Sequence, residues 1–171
     1  MKVVKFGGTS LADGTQLKRV FDIINSDVDR KVVVVSAPGK RFQDDIKVTD
    51  LLLQYAQATI DDTDTKEIIQ EIKQRYHAIA DYFQMPHEHL TQIDAQIDHL
   101  SQKHYRSFDY LKAAFAAHGE YLNAQLIAKV FTHLGMPAKF IDPKDAGLLV
   151  NDRPLSASLE SSSYQKIAQL D

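Results

Sequence analysis

Hydrophobic and polar positions divide the chain into segments of clear period. Lys2 to Phe6 is a short β-rich run ending at Gly7-Gly8, after which Leu17, Val20, Phe21 and Ile24 recur at i, i+3, i+4 and i+7. That pattern predicts a strand, a glycine loop and an amphipathic helix, with Asp13 and Thr15 as candidate helix caps. Val32 to Val35 is a continuous β-branched run of the kind buried on both faces of a parallel sheet, so residues 2 to 36 read as one βαβ unit. From Ala37 to Lys47 the composition turns to Pro38, Gly39 and a cluster of charges, which predicts an exposed loop before a helix over Val48 to Ala58. The loop sits at a strand's carboxyl end, the edge at which open α/β sheets bind ligands.

Further along, Ile68, Ile69, Ile72, Tyr76, Ile79 and Phe83 mark one helix, Met85-Pro86 breaks it, and Leu90, Ile93, Ile97 and Leu100 mark another. Phe108 to Leu134 is again helical, with an interruption expected near His118-Gly119 and a stop at Gly135-Met136-Pro137. Ala138 to Ile141 reads as a short strand, Gly147 to Val150 as a further strand or part of a hairpin, and Ser161 to Leu170 as a weak helix.

Composition narrows the function classes. At 171 residues the chain is one domain or a large piece of one, long enough to bury about 70% of its extended surface. Its net charge of -3 offers no electrostatic footprint for a nucleic-acid backbone. The absence of cysteine removes disulfides, thiolate metal sites and a cysteine nucleophile, and fits a reducing compartment. No apolar run approaches the ~20 residues that span a bilayer, so no membrane partner is expected and a cytoplasmic location is the default. Residues 61 to 105 carry a net -5, and the helical pattern there reads as an acidic helical insertion. Its charge is either a solvated face or a docking surface.

The sharpest chemical feature is Lys5-Phe6-Gly7-Gly8-Thr9-Ser10 at the end of the first strand. Two glycines allow close backbone approach, their N–H groups suit an anion, and the helix that follows adds its positive end. A phosphate cradle and a plain tight turn with an exposed lysine both fit. Neither a Walker A loop nor a G-x-G-x-x-G fingerprint occurs.

Taken in order, Lys5 to Ser10, Ser36-Ala37 after the valine strand, Lys47-Val48-Thr49-Asp50-Leu51-Leu52 and Gly119-Glu120 resemble aspartokinase, a member of the amino acid kinase family. The resemblance runs from Met1 to about Val150. It implies an α/β fold: an αβα sandwich of the amino acid kinase type, of which this chain is the N-terminal, aspartate-binding half, with a mainly parallel sheet and a helical insertion. The nucleotide-binding half and the regulatory ACT domains of the family are not matched, so the expectation is an N-terminal fragment inactive alone. The implied activity of the intact enzyme is transfer of the γ-phosphate of ATP to the side-chain carboxylate of L-aspartate, the first step towards lysine, threonine and methionine. ATP and Mg²⁺ are the implied cofactors, none held tightly by this chain, and a homo-oligomer is the implied assembly.

By similarity, Lys5 bridges the phosphates as the catalytic cation, while Gly7, Gly8, Thr9 and Ser10 form the phosphate-binding turn. Ser36 and Thr49 match positions that hydrogen-bond the aspartate substrate. Thr49 with Asp50 before a leucine run is also a good helix start, and the two roles are compatible. Glu120 matches the glutamate that faces the substrate's α-amino group, a charge-assisted pairing that selects amino acids. The seven histidines show no metal-ligand spacing and read as surface residues, so no metal site is expected from protein ligands. Two alternatives stay open: another member of the fold such as a glutamate 5-kinase, against which Thr49 and Gly119-Glu120 argue, or a non-catalytic substrate-binding or dimerisation module.

Overall fold

The computed structural model describes residues 1–168. Two strands, β1 (Lys2–Phe6) and β2 (Arg30–Val35), form a parallel pair joined by the helix α1 (Gly14–Asn25). Asp13 caps α1 by accepting the Gln16 N–H at 2.8 Å, whereas Thr15 lies inside the helix and is not its cap. The apolar stripe of α1 is buried as its period requires, through Leu17, Val20 and Ile24. There follow α2 (Val48–Ile60), α3 (Lys66–Tyr82), α4 (Thr91–Asp98), α5 (Phe108–His133) and α6 (Ser161–Ile167), with short 3₁₀ turns at Gly8–Leu11, His87–Leu90 and Leu100–Gln102.

The central element is α5. Leu111, Phe115, Leu122, Leu126, Ile127, Val130 and Phe131 bury it on several sides, against α2, α3, α4 and β2. It runs unbroken through His118-Gly119, so the expected interruption there does not occur. The Gly119 backbone stays helical and its missing side chain serves packing instead, as the site geometry shows. Gly135 ends the helix region in a left-handed conformation (φ +86°), and the Met136 N–H returns to the Phe131 carbonyl at 2.9 Å, closing the last turn. Residues 66–102 join the same core: Ile72, Tyr76, Ile79, Leu90, Ile93, Ile97 and Leu100 are all fully or almost fully buried.

Two β expectations change. Val33 and Val35 pack with Val4 and Phe6 on the helices, but Val32 and Val34 remain 39% and 45% exposed beside Val3. Among the described residues β2 is therefore covered on one face, not on both, because the helical core packs against its Val33 and Val35 side. Ala138 to Ile141 forms no strand. The Ala138 N–H and carbonyl are both taken by Thr132 Oγ1, at 3.3 and 3.2 Å, so the segment follows the end of α5 with no ladder partner. Near the C-terminal end of the described residues, Val150 makes an isolated antiparallel bridge with Leu159, the hairpin form of that expectation. Helix α6 realises the weak helical pattern as far as Ile167, and residues 169–170 of it lie outside the described residues.

Candidate active site

The two strand ends are stitched together by the Ser36 N–H, which donates to the Phe6 carbonyl at 3.2 Å. This places the glycine turn after β1 beside the loop after β2. Lys5 pairs with Val34 across the ladder, so its exposed side chain shares the uncovered sheet face with Val3 and Val32. Among the described residues, no hydrogen bond or ion pair holds its ammonium. Within the turn the Ser10 N–H is used by the Gly7 carbonyl at 3.0 Å. The first N–H groups of a helical turn have no partner inside it, so Gly8 and Thr9 supply the donors that the turn can offer an anion. The Thr9 and Ser10 side chains are exposed on the same turn.

The glycines do different jobs. A Cβ on Gly7 would meet nothing within 4 Å, which leaves room for a ligand to approach. A Cβ on Gly8 would fall 2.9 Å from the Ala37 carbonyl oxygen, and one on Gly39 would fall 2.6 Å from the Gly8 carbonyl carbon. The Gly39 N–H donates to Gly8 O at 2.9 Å. Gly8 and Gly39 are thus required by each other, backbone against backbone, and the loop over 37–47 rests on the Gly7-Gly8 turn.

Ser36, Thr49 and the middle of α5 converge on the other side of that loop. A Cβ at Gly119 would lie 2.7 Å from Ala37 Cβ, 3.3 Å from Leu52 Cδ1 and 3.7 Å from Thr49 Oγ1. The bare glycine is what lets α5 come this close to the β2 end and the start of α2. Ser36 and Thr49 are half-buried, and Glu120, next to Gly119, is exposed. One residue of the site was missed from sequence. Asn123 is 1% exposed, and its Nδ2 donates to the Ser36 carbonyl at 2.7 Å while its Oδ1 has no partner. It sits one helical turn after Glu120, and that i+3 spacing was the available signal.

Electrostatics set the charge states around this group. Tyr76 donates to the Gly119 carbonyl at 3.2 Å. Burial first, then the field of Glu120, pushes its phenol well above the usual tyrosine range, partly offset by Arg75, so it stays a neutral donor. Burial pushes the His118 imidazole down, partly offset by its hydrogen bond to Ala114 O at 2.6 Å, so the neutral ring is favoured. In the loop, hydrogen bonds from Arg41 hold the buried Asp45 carboxyl well below the ordinary carboxylate range in spite of its desolvation. Two recesses are present, one of about 570 Å³ between α3 and Arg41 of the loop and one of about 650 Å³ between α4, α5 and residues 138–140. Neither recess is lined by Ser36, Thr49 or Glu120. Among the described residues no three His, Asp or Glu side chains converge as metal ligands, and no helix is long and apolar enough to cross a membrane.

Residues 1–170 match the amino acid kinase family. The chain belongs to that family. Within it, the chain is 41% identical over 170 residues to Aspartokinase 3 of Bacillus subtilis, covering 99% of this chain and 37% of that protein. It is 27% identical to the aspartokinase of Chlamydia pneumoniae, over 91% of this chain and 32% of the relative. Among solved structures, the Clostridium acetobutylicum aspartate kinase superposes with a TM-score of 0.77 at 33% identity, over 98% of this chain and 35% of that one. Escherichia coli aspartokinase III in complex with aspartate and ADP superposes with a TM-score of 0.78 at 24% identity, over 97% and 36% respectively, a likeness of fold. The chain spans about a third of the length of these relatives and matches their N-terminal part. The α/β amino acid kinase fold expected from sequence is the one observed, with its parallel strand pair and helical layer.

Proposed function

We propose that this chain is the acceptor-binding part of an aspartate kinase, with residues 61 to 105 a helical insertion into that part. The observation that carries the reading is the convergence of Ser36, Thr49 and the Gly119-Glu120 turn of α5 at the strand ends, one loop away from the Gly7-Gly8 turn and Lys5. Four sequence-distant segments meet there, and the meeting point suits a small amino acid next to a phosphate.

Bound Mg²⁺-ATP supplies the phosphoryl group. The rest falls to side chains and backbone of this chain. The acceptor carboxylate is ionised at neutral pH, since its ordinary pKa is about 3.9, and needs no general base. The obstacle is repulsion between two anions, which positive charge and positioning must offset. Lys5, on β1 and without a hydrogen-bond or ion-pair partner among the described residues, is the cation for the transferring group, and Gly8 and Thr9 N–H groups are the neutral donors beside it. Ser36 and Thr49 hydroxyls donate to the substrate carboxylates. Glu120 accepts from the α-ammonium and so separates amino acids from simple dicarboxylates. On this reading the donor set serves the phosphate tail and the nucleoside is held elsewhere in the intact enzyme, so this chain alone should not turn over. The same reading carries a cytoplasmic setting, a homo-oligomeric parent and a place in lysine, threonine and methionine synthesis.

The test is acceptor competition in the intact enzyme, following ADP release with L-aspartate, L-glutamate and succinate. Release with L-aspartate alone, and a selective loss of aspartate turnover in Glu120→Gln, supports the reading. Equal or greater turnover of L-glutamate would replace it with a glutamate kinase.

A further inference from the structure

The loop over 37–47 touches the phosphate turn, yet the group that holds it comes from α3, outside the site. Arg75 is 3% exposed. Its guanidinium donates to Gly39 O at 2.6 Å and to Ile46 O at 2.5 Å, near the two ends of the loop, and stands 3.4 Å from the Asp45 carboxylate. Arg41 completes the arrangement from the solvent side. Its Nε and a terminal nitrogen reach the two Asp45 oxygens at 2.8 Å each, and its backbone N–H reaches one of them at 2.8 Å. The loop's base is closed by the Val48 N–H on Pro38 O at 3.1 Å.

We infer that Arg75 is a positioning residue for phosphoryl transfer: by gripping the loop at Gly39 and Ile46, it fixes how Gly39 seats on Gly8 and thereby where the turn's N–H donors point. The inference rests on the phosphate-turn reading of the preceding subsection. Three features carry it. A buried guanidinium is costly unless its donors are satisfied, and here both terminal nitrogens go to loop carbonyls and none to its own helix, while Nε has no partner among the described residues. Gly39 is the residue in direct backbone contact with Gly8, so the Arg75 fork and the phosphate turn are separated by one peptide. The two terminal nitrogens of the planar fork each hold one of two carbonyls seven residues apart, which the single ammonium of lysine does not reproduce. Transfer between two anions depends on positioning, so a shift of the turn should appear in kcat rather than in aspartate binding.

The experiment uses the intact enzyme with Arg75→Met, Arg75→Lys and, as a control, Lys73→Met. Lys73, on the same helix as Arg75, pairs with Asp98 of α4 at 2.7 Å and among the described residues makes no hydrogen bond or ion pair to the loop or the turn. Arg75→Met should lower kcat by about tenfold or more while KM for aspartate stays within about twofold, with faster amide exchange confined to residues 38–47. Arg75→Lys should recover part of kcat, and Lys73→Met should leave kcat at the wild-type value. An unchanged kcat in Arg75→Met, or an equal fall in Lys73→Met, overturns the inference. Should Arg75→Met fail to fold, Arg75→Lys carries the test through kcat and the same exchange window, and a wild-type kcat there also overturns it. A wild-type enzyme that releases no ADP with aspartate would instead sink the functional reading, which the variants do not affect.

Discussion

Replacing Gly119 by alanine separates a packing glycine from an idle one. In an exposed helix interior the change stabilises by about 1 kcal/mol through backbone entropy. Here the new methyl would sit 2.7 Å from Ala37 Cβ and 3.3 Å from Leu52 Cδ1. Carbon pairs reach their optimum at about 3.5–4.0 Å, so α5 and the β2 end must part by about 1 Å. Leu52 has rotamers with which to yield. Ala37 has none, because its Cβ is fixed to the backbone, so the chain itself must move. Overpacking of this kind costs about 1–3 kcal/mol, which after the helix gain of about 1 kcal/mol leaves a net loss of about 0–2 kcal/mol. For a domain of this size that corresponds to a fall in Tm of up to about 8 °C, counting about 2–4 °C per kcal/mol. Urea unfolding followed by circular dichroism measures it. The double variant Ala37→Gly/Gly119→Ala, which removes the clashing pair, should show a favourable coupling of about 1 kcal/mol or more. A stabilised Gly119→Ala with no coupling to Ala37 would refute the claim that this glycine exists to bring α5 onto the site.

Lys5→Ala should leave stability within about 0.5 kcal/mol, since no partner is lost, while the intact enzyme loses at least about 10²-fold in kcat. A parallel loss of unfolding free energy would mark Lys5 as structural instead. Asn123→Ala removes the donor to the Ser36 carbonyl and should cost about 1–2 kcal/mol, with a higher KM for aspartate as Ser36 loosens; an unchanged KM would detach Asn123 from the site. His118 contributes through linkage. Its folded pKa lies below the free value of about 6.5, so its contribution is complete above that pH and is lost as pH falls from there through the folded value. His118→Gln should therefore flatten the stability profile below about pH 6.5, and a profile that still falls as steeply would assign the loss to other groups.

The helices were legible because each buries an apolar stripe that its period displays: Leu17, Val20 and Ile24 in α1, or Ile72, Tyr76 and Ile79 in α3. The open face of β2 was not. In a run of four valines the period-2 alternation is invisible, and Val32 and Val34 look the same as Val33 and Val35 until the neighbours are placed. Glycines misled for a related reason. Gly119 read as a helix break from local propensity, whereas its cause is Ala37, 82 residues earlier in the chain. The Gly8–Gly39 contact likewise joins two loops that no local window contains. Arg75 did leave a trace, as a charged residue three after Ile72 and four before Ile79 on an otherwise apolar stripe. A charge in that position asks for a buried partner, and the partner proved to be the loop over 37–47.

The central claim is that the acceptor half of a kinase site is preformed in this chain. Isothermal calorimetry of the purified chain with L-aspartate tests it most directly, alongside Glu120→Ala and Lys5→Ala. Saturable binding of aspartate that disappears in Glu120→Ala and survives in Lys5→Ala is the predicted result. No heat at millimolar aspartate from the folded chain, or binding indifferent to Glu120, would contradict it.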